Sequence, residues 1–313
     1  MEVTKAAVED AIRRIDPAGV AAARWFGGNG RAIRSIELAE AFVLPGDGRH
    51  VLAVSNLAYE RGPAEAYLFP FVADAGALRR ATEGDGTLRA LAGAIAEGRT
   101  IPALPSVPDA AAEPAQPAPV TAALVCRPAA GLRDLEPGGA AAVNGLVERP
   151  LGMDQSNTSV VLGERLLLKT YRWLQPGLNP DLELVAYLTE EAGFTAVPPL
   201  AGYAEVVSRS SEPSTVALLQ AYVADAADAY ESLAETLTDW LLAPGSVSVE
   251  FATEIAADIG ALSAGLHGAL ASAHGVPGFE PRPATRDELR GWHEDARTQL
   301  DRSEEHTSEL QSH

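Results

Sequence analysis

Six prolines, Pro102, Pro105, Pro108, Pro114, Pro117 and Pro119, fall within one short stretch among alanines and acidic residues, and they constrain this chain most. Proline fixes φ and lacks a backbone N–H, so neither a helix nor an inner strand runs through such a stretch. Residues 101–119 therefore read as an exposed, extended linker with an α+β pattern on either side. A chain of 313 residues can hold two compact domains, and a hydrophobic content of 47% supplies a substantial core.

Residues 1–100 read as the first domain, an antiparallel sheet with helices. Val8, Ile12 and Ile15 share a helical face behind Thr4, a candidate cap. Trp25 and Phe26 precede a glycine-rich turn, Gly27-Gly28-Asn29-Gly30-Arg31. Strand-like runs at 33–44, 50–59 and 66–72 are separated by Pro45-Gly46-Asp47-Gly48 and Arg61-Gly62-Pro63, which predicts a meander. A helix is expected at 87–97.

The second pattern, residues 120–225, opens with a strand at 120–127 that can pack back on the first domain. Two strands, 158–162 and 165–171, flank the turn Gly163-Glu164. Asn179 and Pro180 supply an N-cap and a first-turn proline for a helix reaching about Ala192, closed by Gly193. Strands at 200–207 and 215–222 come next, and residues 226–301 are helical, with helices expected at 230–242, 249–273 and 285–300. Residues 302–313 lack the Ala, Gly and Pro that fill the rest and resemble a translated sequencing-adapter oligonucleotide. They are expected to be a non-native tail, with the native coding sequence ending near Asp301.

The formal charge of −19, from 43 acidic and 24 basic side chains, repels nucleic acid and anionic membranes, so neither is an expected partner. It repels nucleotides at long range too, so a nucleotide site must gather positive charge and backbone amides locally. No apolar run is long enough to span a bilayer, and no hydrophobic signal core opens the chain, so a cytoplasmic location is expected. The lone Cys126 excludes an internal disulfide and reads as a small buried hydrophobe. A Gly-x4-Gly-Lys-Ser/Thr phosphate loop, the full dinucleotide-binding glycine pattern and zinc-ligand spacing are all absent from the sequence.

The chemistry-bearing region runs from Gln155 to Tyr222. A kinase-like N-lobe needs a hairpin loop over the phosphates, a lysine on a following strand and an acid on the next helix to hold it. Gln155, Ser156, Asn157, Thr158 and Ser159 can offer amides and hydroxyls to phosphate oxygens. Lys169 lies in an apolar strand and needs a charged partner or a path to water, and Glu183 in the next helix is a candidate partner. Gln220, Tyr222 and Val223 fit an interlobe hinge whose backbone meets adenine, with Tyr222 over its edge. Each piece alone has a plainer reading: an edge-strand lysine, a dipole-favoured glutamate, a polar loop, a core tyrosine. Their order and spacing favour the nucleotide lobe. His267, His274, Trp240 and Trp292, at helical positions, read as packing or surface residues.

The runs Ser156-Asn157-Thr158-Ser159-Val160, Leu168-Lys169 and Gln175-Pro176-Gly177-Leu178-Asn179-Pro180-Asp181-Leu182-Glu183 resemble the nucleotide-binding lobe of bacterial maltokinases. Pro198-Pro199-Leu200-Ala201-Gly202 resembles the strand entry after that helix, and Arg24-Trp25-Phe26-Gly27-Gly28-Asn29-Gly30-Arg31 resembles their N-terminal cap signature. The resemblance implies an N-terminal cap domain, a kinase-like N-lobe and the helical start of an incomplete C-lobe. It implies ATP and Mg²⁺ as cofactors, maltose as the acceptor of the γ-phosphate, and association with trehalose synthase in some relatives. By the same resemblance Lys169 orients the α- and β-phosphates, Glu183 holds Lys169, and Gln155 to Ser159 cover the triphosphate. The family's His-Gly-Asp-x-His loop and its Asp-Phe-Glu metal element do not occur, so the chain is expected to be a fragment without its catalytic loop. Alternatives are a kinase of another sugar, such as glucosamine, and a non-catalytic pseudokinase-like binding module.

Overall fold

A computed structural model describes residues 2–23, 25–27, 31–105, 122–151, 157–209, 211–224, 226–243, 249–272, 275–276 and 278–311. Residues Met1–Ile259 form one compact unit and Gly260–His313 a second. The architecture is mixed α+β, with two antiparallel sheets in the first unit.

The first sheet has the order β1 (Ile33–Val43), β2 (His50–Tyr59), β3 (Glu65–Asp74), with β4 (Ala77–Arg80) and β10 (Trp173–Leu174) both on the far side of β3. Its central strands are buried on both faces, which explains why they read as near-continuous apolar runs. Ala41, Val51, Ala53, Tyr67, Phe69 and Phe71 point to one side. There α1 (Lys5–Arg13) covers them with Val8, Ala11 and Ile12, and Thr4 caps that helix through the Ala7 amide. Phe42, Leu52, Val54 and Leu68 point to the other side, into a core shared with α3 (Thr87–Glu97) and the second sheet. Alternation with a period of two residues produces this division.

The second sheet has seven strands in the order β5 (Thr100–Pro102), β6 (Ala122–Pro128), β11 (Leu200–Ser208), β12 (Ser214–Ala221), β9 (Leu166–Thr170), β8 (Thr158–Leu162), β7 (Glu148–Pro150). The turn between β8 and β9 places Gly163 at φ 58° and Glu164 at φ 55°. Two successive left-handed residues make the tight hairpin turn whose twist suits the flanking strands. Glu164 is held there by Arg149, whose Nη2 lies 2.6 Å from Glu164 Oε2. Short helices α2 (Pro17–Ala21), α4 (Leu132–Leu135) and α5 (Gly139–Gly145) connect the elements.

The division near residue 100 expected from the sequence runs through a core instead of a boundary. Helix α3, assigned to the first domain, and strand β5, which straddles the expected start of the linker, belong with the second sheet, while β10 from the second pattern pairs with β3. Burial periodicity shows which faces need cover; it does not show which element supplies it. Residues 106–119, most of the proline-rich segment, lie outside the described residues.

Helix α6 (Pro180–Ala186) is shorter than the sequence suggested. It widens into a π-helical turn, Tyr187–Glu191, and closes at Gly193, φ 61°, with the Phe194 amide donating to the Leu188 carbonyl at 2.8 Å. Helices α7 (Ala229–Leu242), α8 (Val249–Ala271) and α9 (Arg286–Gln311) complete the chain. α7 has no buried residue among those described and exposes Tyr230, Trp240, Leu241 and Leu242. α9 continues through residues 302–311, the segment set apart on composition, where Glu, Leu and Gln favour a helix. Among the described residues no helix is long and apolar enough to cross a membrane.

Candidate functional site

Strand β9 alternates burial along its length. Leu166, Leu168 and Thr170 enter the core, so Lys169 must project from the opposite face. Pairing sets Lys169 between Ser159 of β8 and Leu218 of β12, which places the Ser159 side chain on the same face. Asn157 stands one residue before β8, and the Thr158 carbonyl accepts from the Thr170 hydroxyl at 3.0 Å, pinning the start of the hairpin. Gln155 and Ser156, the other two residues expected over the phosphates, lie outside the described residues.

The partner of Lys169 is Asp181, not Glu183. Lys169 Nζ lies 2.5 Å from Asp181 Oδ2, and the Tyr171 hydroxyl donates to the same oxygen at 3.0 Å. Asn179 starts the helix by accepting from the amides of Asp181 and Leu182, which fixes the direction of the first turn. At 100° per residue, position 183 is turned about 200° away from 181, so only one of the two first-turn acids can face the strand. Asp181 was legible in principle as the other acid of that turn, but sequence separation alone does not distinguish the two. Tyr171 was also missed; its position two residues beyond Lys169 on one strand face was the available signal.

The ammonium of Lys169 holds the Asp181 carboxyl below the usual aspartate range, and burial pushes the Tyr171 phenol above its ordinary value. The pair is half open: the lysine side chain is 28% exposed and that of Asp181 47%. Solvent screening at that exposure limits its worth to about 1 kcal/mol or less. A folded-state pKa below the unfolded value stabilises above about pH 4 and loses that contribution as pH falls through the lowered value. Asp181→Asn should therefore lower the urea midpoint at pH 7, and the gap to the parent chain should close on acidification. Glu183→Gln should leave the midpoint unchanged at both pH values; a larger loss for Glu183→Gln would overturn the assignment.

The expected hinge is partly committed to the sheet. Gln220 pairs with Leu200 on one side and Leu167 on the other. The Tyr222 amide donates to the Arg165 carbonyl at 2.8 Å. Its hydroxyl accepts from Arg149 Nη2 at 3.2 Å, and the Arg149 guanidinium carbon lies 5.4 Å from the ring centroid. Tyr222 thus braces strand β7 in this structure, and Val223, 54% exposed, is the hinge residue left open to solvent. His274 falls outside the described residues, and His267 lies on α8. Cys126 is 3% exposed in β6, and burial pushes its thiol up to about 12, the character of a packing residue.

Lys169, Ser159 and Asn157 form a set of cationic and hydrogen-bonding donors on one hairpin, which fits the oxygens of a nucleotide's phosphates. A divalent metal is not fitted in the same way. Among the described residues no group of three or more His, Cys, Asp or Glu side chains could hold one.

No family model matches the chain. In sequence it is similar to a glucosamine kinase of Streptacidiphilus jiangxiensis, 31% identical over 244 residues, covering 76% of this chain and 47% of the relative. A glucosamine kinase of Mycolicibacterium smegmatis is 28% identical over 149 residues, 48% of this chain and 35% of the relative. The chain thus spans about half or less of the length of these curated relatives. Among solved structures, a glucosamine kinase in one crystal form aligns with TM-score 0.62 at 23% identity, over 94% of this chain and 57% of that one. Another, in complex with glucosamine, ADP and inorganic phosphate, aligns with TM-score 0.60 at 24% identity, over 96% and 59%. The α+β fold described above is therefore shared with glucosamine kinases across nearly the whole chain.

Proposed function

We propose that this chain carries the nucleotide-binding part of an ATP-dependent sugar kinase whose acceptor is an amino sugar of the glucosamine type. The observation that carries the reading is the Lys169–Asp181 pair on the face of the β8–β9 hairpin that also bears Ser159. In this reading Lys169 orients the α- and β-phosphates, Asp181 holds Lys169, and Ser159 and Asn157 donate to phosphate oxygens. Val223 is the residue from which a backbone group reaches adenine. The glucosamine kinase relatives support the sugar-kinase class and favour glucosamine over maltose as the acceptor. Maltose is the second reading, favoured by the resemblance of residues 156–160 and 175–183 to maltokinases.

Phosphoryl transfer depends on positioned phosphates, a metal that spreads the developing charge and a group that orients the acceptor hydroxyl. The sequence contains neither the His-Gly-Asp-x-His loop nor the Asp-Phe-Glu element that would supply the last two. The 313-residue chain is therefore expected to bind nucleotide without transferring phosphate to glucosamine or to maltose.

The test is calorimetric titration with ATP, paired with thermal unfolding. ATP should raise the midpoint of the parent chain, and Lys169→Met should weaken binding by roughly a hundredfold, the loss of a charge-assisted contact to phosphate. Equal ATP affinity in the Lys169→Met chain, with both chains folded, would end the reading. Extending the chain along its source locus and assaying both sugars would then decide the acceptor.

A further inference from the structure

Between the first sheet and the start of α3 lies a cavity of about 330 Å³ whose lining includes Trp25, Arg80, Glu83, Thr87, Thr158 and Arg172. Two guanidinium groups meet over one indole there. The Arg172 guanidinium carbon is 4.6 Å from the Trp25 ring centroid and that of Arg80 is 5.9 Å from it. Neither arginine has a carboxylate within 4 Å among the described residues, and Glu83 is the only acid in the lining. Burial lowers the pKa of both; for Arg172 the neighbouring Arg80 adds to the effect and Glu83 opposes it. Arginine nevertheless keeps its charge in proteins, so the cavity is a positive spot in a chain of net charge −19.

Two further features point the same way. Arg172 Nε is buried and has no hydrogen-bond partner among the described residues. The cavity also sits at the N-terminus of α3, an eleven-residue helix whose cap, Gly86, offers no side chain. Glu148 accepts from the Arg89 amide, whereas the Thr87 and Leu88 amides have no acceptor among the described residues. The Thr87 hydroxyl is tied to His50 Nδ1 at 2.9 Å, which steadies the helix start. Among the described residues, an orphaned guanidinium N–H and a second guanidinium without a carboxylate partner, beside the N-terminus of α3, make a donor set for an oxyanion.

We propose that this cavity binds a phosphate group, either inorganic phosphate or the phosphoryl group of a small metabolite, at a site separate from the nucleotide phosphates. The separation follows from strand alternation. Thr158, which lines the cavity, and Ser159, which flanks Lys169, are successive residues of β8 and point to opposite faces of the sheet.

The test uses the whole 313-residue chain, titrated with sodium phosphate and, separately, with glucose 6-phosphate, at constant ionic strength set with sodium chloride. Thermal unfolding and phosphorus NMR line width are the readouts. Saturable binding of phosphate should persist in Lys169→Met and weaken at least about tenfold in Arg80→Gln, which removes one charge-assisted contact. Arg80 remains open at the cavity mouth, so Arg80→Gln should fold with an unchanged ligand-free midpoint; Arg172→Gln serves as a second variant with the same expected loss. Tighter binding of glucose 6-phosphate would identify a metabolite phosphoryl group, and tighter binding of inorganic phosphate the free ion. Absence of saturable binding, or loss in Lys169→Met with retention in Arg80→Gln, would overturn the proposal.

Discussion

A Gly202→Val chain is expected to lose about 3 kcal/mol of folding stability, the upper end of what overpacking costs. Gly202 lies in β11 at a register shift, where β6 on one side and α3 on the other approach the backbone closely. A Cβ there would meet Ile95 Cγ2 at 2.5 Å and the Arg127 carbonyl oxygen at 2.6 Å. The carbonyl belongs to the neighbouring strand and cannot withdraw without breaking its ladder. With a urea slope of about 1–3 kcal/mol per molar, the midpoint should fall by roughly 1 M or more. Gly145→Ala is the control: outside its own turn of helix no described atom lies within 4 Å of a Cβ there, so its midpoint should hold or rise slightly. A midpoint for Gly202→Val equal to that of Gly145→Ala would show that the strands can part at no cost.

Leu91→Ala is expected to cost about 2–5 kcal/mol and to loosen both sheets together. Leu91 is fully buried in α3, and the core around it takes Leu52, Val54 and Leu68 from the first sheet and Leu124, Leu168 and Leu219 from the second. Truncating it opens a cavity between the two layers, so neither layer can keep its stability while the other loses it. Hydrogen exchange read by mass spectrometry separates the sheets. Peptides covering β2 and β12 should both exchange faster, by roughly thirtyfold for every 2 kcal/mol lost. Acceleration confined to one sheet would restore the two-domain division that the proline-rich stretch suggests.

Local chemistry made much of this molecule legible before any contact was known. Thr4 and Asn179 cap helices through side chains that can do little else at those positions, and their helices begin where these residues stand. β2 and α3 occupy the expected ranges because long apolar runs and helical spacing are strong signals. The turn at Gly163-Glu164 was readable from its length, although a glutamate with positive φ is held there by Arg149, a partner fourteen residues upstream of the turn's first glycine.

What the sequence by itself determined is therefore the local geometry: where strands and helices start, which faces are apolar, and that Lys169 needs a partner. Caps, turns and periodicity act over a few residues, and the chain carries that information directly. Only the tertiary structure decided that Asp181 and not Glu183 meets Lys169, because the choice depends on how the first turn of α6 is rotated against β9. It also decided that α3 binds two sheets into one core, and that Arg80 and Arg172, 92 positions apart, share one indole. Such contacts join residues whose separation along the chain says nothing of their distance in space, and packing free energy selects them only once the elements have assembled.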